Sequence, residues 1–161
     1  MSDKVDSFYE MELKPQLEGY LSKEIMSKID YAFVFAREAH KDQYRSSGEP
    51  FILHPLNVAK ILAEHHASAD IIITALLHDV VEDTGIGLEE IKEKFGEDIS
   101  ELVKLLTGLK SINFSSEEEG QAENLRKLLL AMASDVRVVL IKIADRVHNM
   151  RTLNYLSPER Q

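Results

Sequence analysis

The sequence contains no cysteine and no tryptophan, and it has only four prolines and seven glycines among its 161 residues. Without cysteine, disulfides and thiolate-bound zinc are excluded, so any metal site must use histidine, carboxylates or water. No apolar run approaches the roughly 18 residues that a membrane-spanning helix needs. The N-terminal segment Met1–Asp6 is polar and acidic, unlike a secretory signal peptide. We therefore expect a cytoplasmic protein without a membrane segment.

An excess of basic residues is also missing, since 28 acidic and 19 basic side chains give a net charge of −9. This balance argues against broad binding to nucleic acid or to anionic membranes. A small anionic ligand stays compatible with it, because a metal ion and a few local cations outweigh distant surface charge. With 44% hydrophobic and 29% charged residues, the composition is that of an ordinary globular protein. The length predicts one domain over residues 1–161.

Apolar residues recur at three- and four-residue steps along most of the chain, and no alternating strand pattern is visible, so we predict an all-α fold. A weak first helix is expected within residues 5–20, with Pro15 ending or bending it. Ser22 is the expected N-cap of a second helix that reaches about His40. Further helices are predicted from Pro55, at about 70–83, at 88–95, from Glu97 or Asp98, at 123–133 and from an N-cap at Asp135. The polar segment 111–120 is expected to be a mobile loop, and the tail from Ser157 is polar.

The stretch Ala75–Thr84 begins apolar, and four of the six residues from 78 to 83 are ionisable. If it is one helix, His78 lies four residues before Glu82, and Asp79 lies four residues before Asp83, so each pair shares a face. Burying these groups is costly unless something positive binds them, and a divalent metal is the simplest candidate. The alternative is a helix end that turns into solvent, with both distal carboxylates simply hydrated.

Four ionisable residues stand where a simple core would place apolar side chains: His54, His78, Asp79 and Asp145. Asp145 is the strongest anomaly, because it follows an almost continuously apolar series. Taken singly, each has an ordinary explanation: a hydrogen-bonded core histidine, or an aspartate paired with Lys142 or Arg146. Together they form a mixed nitrogen and oxygen donor set, which suits manganese, iron or zinc better than calcium.

Polar and cationic residues accompany these four positions. Arg45 lies in the loop before His54, and Asn149 and Thr152 continue the helical stripe of Asp145. Guanidinium and amide groups there would suit a phosphate-rich ligand, whereas the alternative is a solvated helix face. Three further histidines have polar neighbours and are expected at the surface: His40, His65 and His66.

Three segments make the sequence similar to a known family. They are Ile-Leu-His-Pro at 52–55, Leu-Leu-His-Asp-Val-Val-Glu-Asp-Thr at 76–84, and Ile-Lys-Ile-Ala-Asp-Arg-Val-His-Asn-Met-Arg-Thr-Leu at 141–153. They resemble the HD-superfamily hydrolase domain of the RelA/SpoT homologues, whose fold is a helical bundle. The resemblance covers about residues 25–161 and includes Arg-Ser-Ser-Gly-Glu-Pro at 45–50 and Gln-Ala-Glu-Asn-Leu-Arg-Lys at 121–127.

This resemblance implies hydrolysis of the 3′-pyrophosphate of guanosine 3′,5′-bis(diphosphate), ppGpp, to GDP and pyrophosphate, and of pppGpp to GTP. It implies one Mn²⁺ bound by His54, His78, Asp79 and Asp145. It assigns activation of the attacking water to Glu82 and Asp83. It places the nucleotide contacts at Arg45, Ser46, Asn149 and Thr152.

Two departures from the family pattern are visible. Many relatives have lysine where Ser46 stands, and long members continue into synthetase and regulatory domains that are absent here. We therefore expect a piece of a longer protein with those domains in cis, and a stand-alone small hydrolase is the less favoured alternative. Two alternatives to a ppGpp hydrolase stay open: a phosphohydrolase of another nucleotide such as NADPH, and a catalytically silent nucleotide-binding regulatory module.

Overall fold

The computed structural model describes residues 2–110 and 135–153, and in these two ranges the chain is helical. The only pairing of extended backbone among them is an isolated antiparallel bridge between Tyr44 and Pro50. The helices are α1 (Ser2–Phe8), α2 (Lys14–Glu18), α3 (Lys23–Ala39), α4 (Leu53–Glu64), α5 (Ala69–Leu77), α6 (Val80–Asp83), α7 (Leu88–Phe95), α8 (Glu97–Lys110) and α9 (Val136–Arg151). The all-α prediction is confirmed. The predictions for 111–120, for 123–133 and for the tail from Ser157 lie outside the described residues.

Helix α5 is the centre of the core. Every side chain from Ile71 to Leu77 is buried, because α5 packs against α3, α4 and α8 and also touches α9. A helix that is apolar on all sides must be enclosed in this way. Among the described helices, none is both long enough and apolar enough to cross a bilayer.

The N-terminal helical segment changes its winding just before Pro15. A π-helical turn, Tyr9–Leu13, joins α1 to α2, and the proline lies in the first turn of α2. Proline has no N–H to donate, and its ring crowds the carbonyl four residues earlier, so the preceding turn widens. Pro15 does not end the helical segment, which continues in α2 to Glu18; the change is in the winding of the turn before it.

Both N-caps expected from the sequence are present. The Ser22 hydroxyl accepts a hydrogen bond from the N–H of Ile25, and a carboxylate oxygen of Asp135 accepts one from the N–H of Arg137 at 2.8 Å. Each side chain satisfies an N–H group that has no partner within the first helical turn. The cap at Asp135 fixes the start of α9 and therefore the register of every later residue on it.

The prediction of one continuous helix over 70–83 is wrong. Helix α5 ends at Leu77, α6 begins at Val80, and His78 and Asp79 form the turn between them. Nδ1 of His78 lies 2.7 Å from the carbonyl oxygen of Ala75, so the ring N–H donates to the preceding turn. A side chain that enters the carbonyl ladder in this way is a recognised cause of a helix break.

Candidate metal centre

Two buried imidazoles from separate parts of the chain lie close together, edge to face, at the end of α5. His54 lies in the first turn of α4 next to Pro55, and His78 follows the last residue of α5; their ring centroids are 5.3 Å apart. Only 3% of His54 and 2% of His78 is exposed. Asp79 lies beside both rings, with Oδ2 3.1 Å from Nε2 of His78 and 3.6 Å from Nε2 of His54.

Helix α9 brings Asp145 to the same place from far along the chain. Its Oδ1 lies 3.2 Å from Nε2 of His54. One donor atom from each of His54, His78 and Asp145 lies within 4.8 Å of the other two. The structure thus brings three of the four positions that the sequence singled out, His54, His78 and Asp145, within reach of one ion, and it places Asp79 beside both histidine rings.

The orientation of these donors fits a divalent cation. Because Nδ1–H of His78 donates to the Ala75 carbonyl, a neutral His78 directs its lone pair from Nε2 towards the Asp79 carboxylate. Two electron-rich atoms at 3.1 Å attract each other only through a proton or a shared cation. Imidazole nitrogen and carboxylate oxygen together suit several transition metals, so the donor set does not by itself choose among them.

Two neighbours on α9 hold the Asp145 carboxylate in place. Nδ2 of Asn149 donates to Oδ1 at 2.7 Å, and Nζ of Lys142 donates to Oδ2 at 2.9 Å. Burial would raise the pKa of Asp145, but the contact with His54 and the positive charge of Lys142 lower it further than burial raises it. Asp145 is therefore ionised at neutral pH. The pairing with Lys142 that the sequence offered as an alternative does occur, alongside the histidine contact.

His148, which was not among the residues predicted from the sequence, also belongs to this cluster. It is 9% exposed, and its Nδ1 lies 2.8 Å from Nδ1 of His54. Burial lowers the pKa of His54, and burial together with the nearby His54 and Arg45 lowers the pKa of His148 to about 4. Both rings are therefore neutral at pH 7. The signal in the sequence was register, since His148 continues the buried α9 series at 141, 144 and 145.

A cavity of about 350 Å³ adjoins the cluster. Its wall is formed by the loop at 44–49, the start of α4 and the end of α9. All four residues predicted to contact substrate contribute to this wall: Arg45, Ser46, Asn149 and Thr152. Nη2 of Arg45 donates to Oδ1 of Asn149 at 2.8 Å, so the amide that holds Asp145 also positions the guanidinium.

Glu82 and Asp83 lie on the short helix α6, directly after Asp79, and both are exposed. Neither forms part of the cavity wall described above. The main-chain carbonyl of Asp83 accepts a hydrogen bond from Nε2 of Gln43 at 2.6 Å. The four predicted substrate residues line this cavity, whereas Glu82 and Asp83 lie on the helix that follows Asp79.

The surface prediction for His40 is wrong. The residue is 2% exposed; it directly follows the last residue of α3, and its ring stacks on Phe51 with centroids 4.8 Å apart. Its Nδ1 lies 2.8 Å from Oε1 of Gln43. The polar neighbours of His40 in the sequence suggested exposure, but the loop that follows covers the residue. His65 and His66 are exposed, as predicted.

The geometry is that of an all-helical domain with clustered histidine and aspartate side chains, and comparison with known families agrees. The chain belongs to the HD-domain family, whose sequence model matches residues 32–161. The motifs at 52–55, 76–84 and 141–153 all lie within this match.

Within that family the relatives are of SpoT type, as the motifs indicated. The bifunctional (p)ppGpp synthase/hydrolase SpoT of Escherichia coli K12 is 44% identical over 149 residues, which are 92% of this chain and 21% of that protein. A probable guanosine-3′,5′-bis(diphosphate) 3′-pyrophosphohydrolase of Synechocystis is 52% identical over 130 residues, 81% of this chain and 17% of that protein. The chain thus spans about one fifth of the length of these curated relatives.

A solved structure agrees with these sequence matches. It is that of a metazoan SpoT ortholog described as hydrolysing ppGpp. The match has a TM-score of 0.66 and 33% identity, and it covers 88% of this chain and 79% of that one.

Proposed function

We propose that this domain is a metal-dependent hydrolase that removes the 3′-pyrophosphate of ppGpp and pppGpp, as part of the stringent response. The products are GDP or GTP and pyrophosphate. The observation that carries the proposal is the convergence of His54, His78 and Asp145 in a buried cluster beside a cavity that contains Arg45. The metazoan relative, which this chain matches over most of both lengths, is described as hydrolysing the same nucleotide.

The proposed cofactor is one Mn²⁺, held by His54, His78, Asp79 and Asp145. A divalent cation in such a site polarises phosphoryl oxygens and lowers the pKa of water. The protonation states of two of these residues support this assignment. The low pKa of Asp145 keeps its negative charge at neutral pH, and the lowered pKa of His54 keeps that ring in the neutral form that can donate a lone pair.

Glu82 and Asp83 are the proposed acceptors of the proton from the attacking water. Their place on α6, one helical turn after Asp79, supports this role. In the reaction the bond between the ribose 3′-oxygen and the pyrophosphate breaks. The oxygen of water joins the phosphorus of the departing pyrophosphate, and the 3′-oxygen gains a proton. No covalent intermediate with the protein is needed.

The substrate is proposed to occupy the cavity next to the cluster. The Arg45 guanidinium uses one N–H on Asn149, and a guanidinium has further N–H groups that suit phosphate. Ser46, on the exposed loop, and Thr152, at the end of α9, are the other proposed contacts. The Thr152 hydroxyl also donates to the carbonyl of His148 at 3.1 Å, which fixes its position.

The natural protein is proposed to be longer, with synthetase and regulatory domains in cis, and to act in the cytoplasm. The length of the curated relatives supports the first point. The coding sequence on either side of this chain tests the first statement, and cell fractionation tests the second.

Pyrophosphate release tests the proposed activity directly. Purified protein loaded with Mn²⁺ should release pyrophosphate from ppGpp, should stop after chelation and should recover when the metal is returned. Glu82→Gln should lower kcat by about 10²- to 10⁴-fold, the usual contribution of a general base. Glu93→Gln on the exposed face of α7 is the matched control and should leave kcat unchanged.

Each alternative has its own outcome in this assay. Full activity after chelation contradicts a metal-dependent reaction. Faster turnover of NADPH than of ppGpp identifies a phosphohydrolase of another nucleotide. Binding of ppGpp to metal-loaded protein without release of pyrophosphate identifies a silent regulatory module.

A further inference from the structure

A contact between two histidine rings connects the proposed metal centre to α9. Nδ1 of His54 and Nδ1 of His148 are 2.8 Å apart, and both residues are buried. At this distance one nitrogen must carry a hydrogen and the other a lone pair, because two N–H groups or two lone pairs repel each other. The direction of this hydrogen bond is therefore tied to the tautomers of both rings.

The far side of His54 decides that direction when a cation is bound. Nε2 of His54 lies 3.2 Å from Oδ1 of Asp145 and 3.6 Å from Oδ2 of Asp79, so it faces the proposed ligands. A neutral imidazole that offers its Nε2 lone pair to a cation carries its only proton on Nδ1. With the proton on Nε2 instead, a hydrogen would point at the carboxylates and no lone pair would face the cation.

We propose that His148 is a positioning residue, which accepts the Nδ1–H hydrogen bond of His54 and so fixes the tautomer and ring orientation of that ligand. His148 then carries its own proton on Nε2. Metal-bound histidines usually donate their second N–H to a carboxylate, a carbonyl or water, and here a neutral imidazole supplies the acceptor. This inference rests on the proposed function, because it assigns a role towards the same cation.

The position of His148 allows this role without contact to the cation itself. It follows Asp145 by three residues on α9, so the same helix supplies one proposed ligand and the acceptor for another. Asn149, the next residue, holds Asp145 by donating its side-chain N–H to Oδ1 of that carboxylate. The last turns of α9 thereby set the orientation of two of the four proposed ligands.

The test compares two substitutions at position 148 in the full chain, with Mn²⁺ affinity measured by titration calorimetry without nucleotide. His148→Leu keeps much of the volume but removes the acceptor. His148→Asn places an amide oxygen close to the position of Nδ1. We expect the leucine variant to bind Mn²⁺ about 10- to 100-fold more weakly, and the asparagine variant to stay within about fivefold of wild type. His65→Leu, at an exposed histidine, is the control for general effects.

Equal affinity of wild type and both variants would overturn the inference while leaving the metal centre in place. Equal weakening in both variants would also overturn it, since the acceptor would then not be the cause. Absence of Mn²⁺ binding by wild type would overturn the proposed metal centre and this inference with it.

A spectroscopic readout covers the case in which the leucine variant fails to fold. In wild-type protein loaded with diamagnetic Zn²⁺, the ¹⁵N chemical shifts should show His54 protonated at Nδ1 and His148 protonated at Nε2. Protonation of His148 at Nδ1 would overturn the assignment.

Discussion

Replacing Asp145 by asparagine should remove most of the stability that a divalent cation gives to the folded chain. Asparagine has nearly the same shape and can still accept from Asn149, but it lacks the negative charge that faces His54 and Lys142. A ligand that binds only the folded state stabilises it by about 2.7 kcal/mol at one hundred times its Kd. If the substitution raises the Kd about 100-fold, the same concentration equals the new Kd, and the gain falls to about 0.4 kcal/mol.

These energies correspond to a clear difference in melting temperature. For a domain of about 150 residues, 1 kcal/mol shifts the Tm by about 2–4 °C, so wild type should rise by about 5–10 °C and the variant by about 1 °C. Thermal unfolding is measured with and without Mn²⁺ for each protein. Because the comparison is made within each protein, the loss of the Lys142 ion pair affects both measurements and cancels.

Asp98→Asn provides the matched control, since Asp98 is an exposed carboxylate on α8 that pairs with Arg137. Its metal-dependent shift should equal that of wild type. A full shift in Asp145→Asn would refute the reasoning, because the cation would then bind without this carboxylate. If Asp98→Asn reduces the Mn²⁺-dependent shift in Tm as much as Asp145→Asn does, the shift depends on the overall charge of the protein and not on this carboxylate.

Two further predictions concern residues outside the metal cluster. Gln43→Ala removes the side-chain N–H that donates to the main-chain carbonyl of Asp83. The kcat for ppGpp should then fall about fivefold, which corresponds to the free energy of about one hydrogen bond, with little change in KM. A change in KM alone would contradict a role in positioning α6. Arg137→Met should cost stability mainly above pH 4, because the hydrogen bond from Arg137 lowers the pKa of Asp135 below its ordinary 3.8. A lowered folded-state pKa stabilises above the unfolded pKa, and this contribution disappears as the pH falls through the folded value. Urea unfolding at pH 7 and pH 3 should therefore show a deficit that shrinks at the lower pH, and a constant deficit would contradict the assignment.

Local patterns in the sequence were sufficient where the controlling interaction is also local. The caps at Ser22 and Asp135 depend on groups only a few residues apart, and both were predicted correctly. The break at His78 was missed, although its cause is also local. A histidine ring that takes the place of a backbone donor leaves no trace in hydrophobic periodicity.

The sequence by itself determined the helical class and the family. It also identified four ionisable residues at positions where a core normally has apolar side chains. It did so because apolar spacing fixes helix faces, and ionisable residues within those faces stand out. Only the tertiary structure decided that His40 is buried and that His148 contacts His54, because both depend on which distant segments pack together. The stacking of His40 on Phe51 and the contact of His54 on α4 with His148 on α9 are set by three-dimensional packing, which no local pattern records.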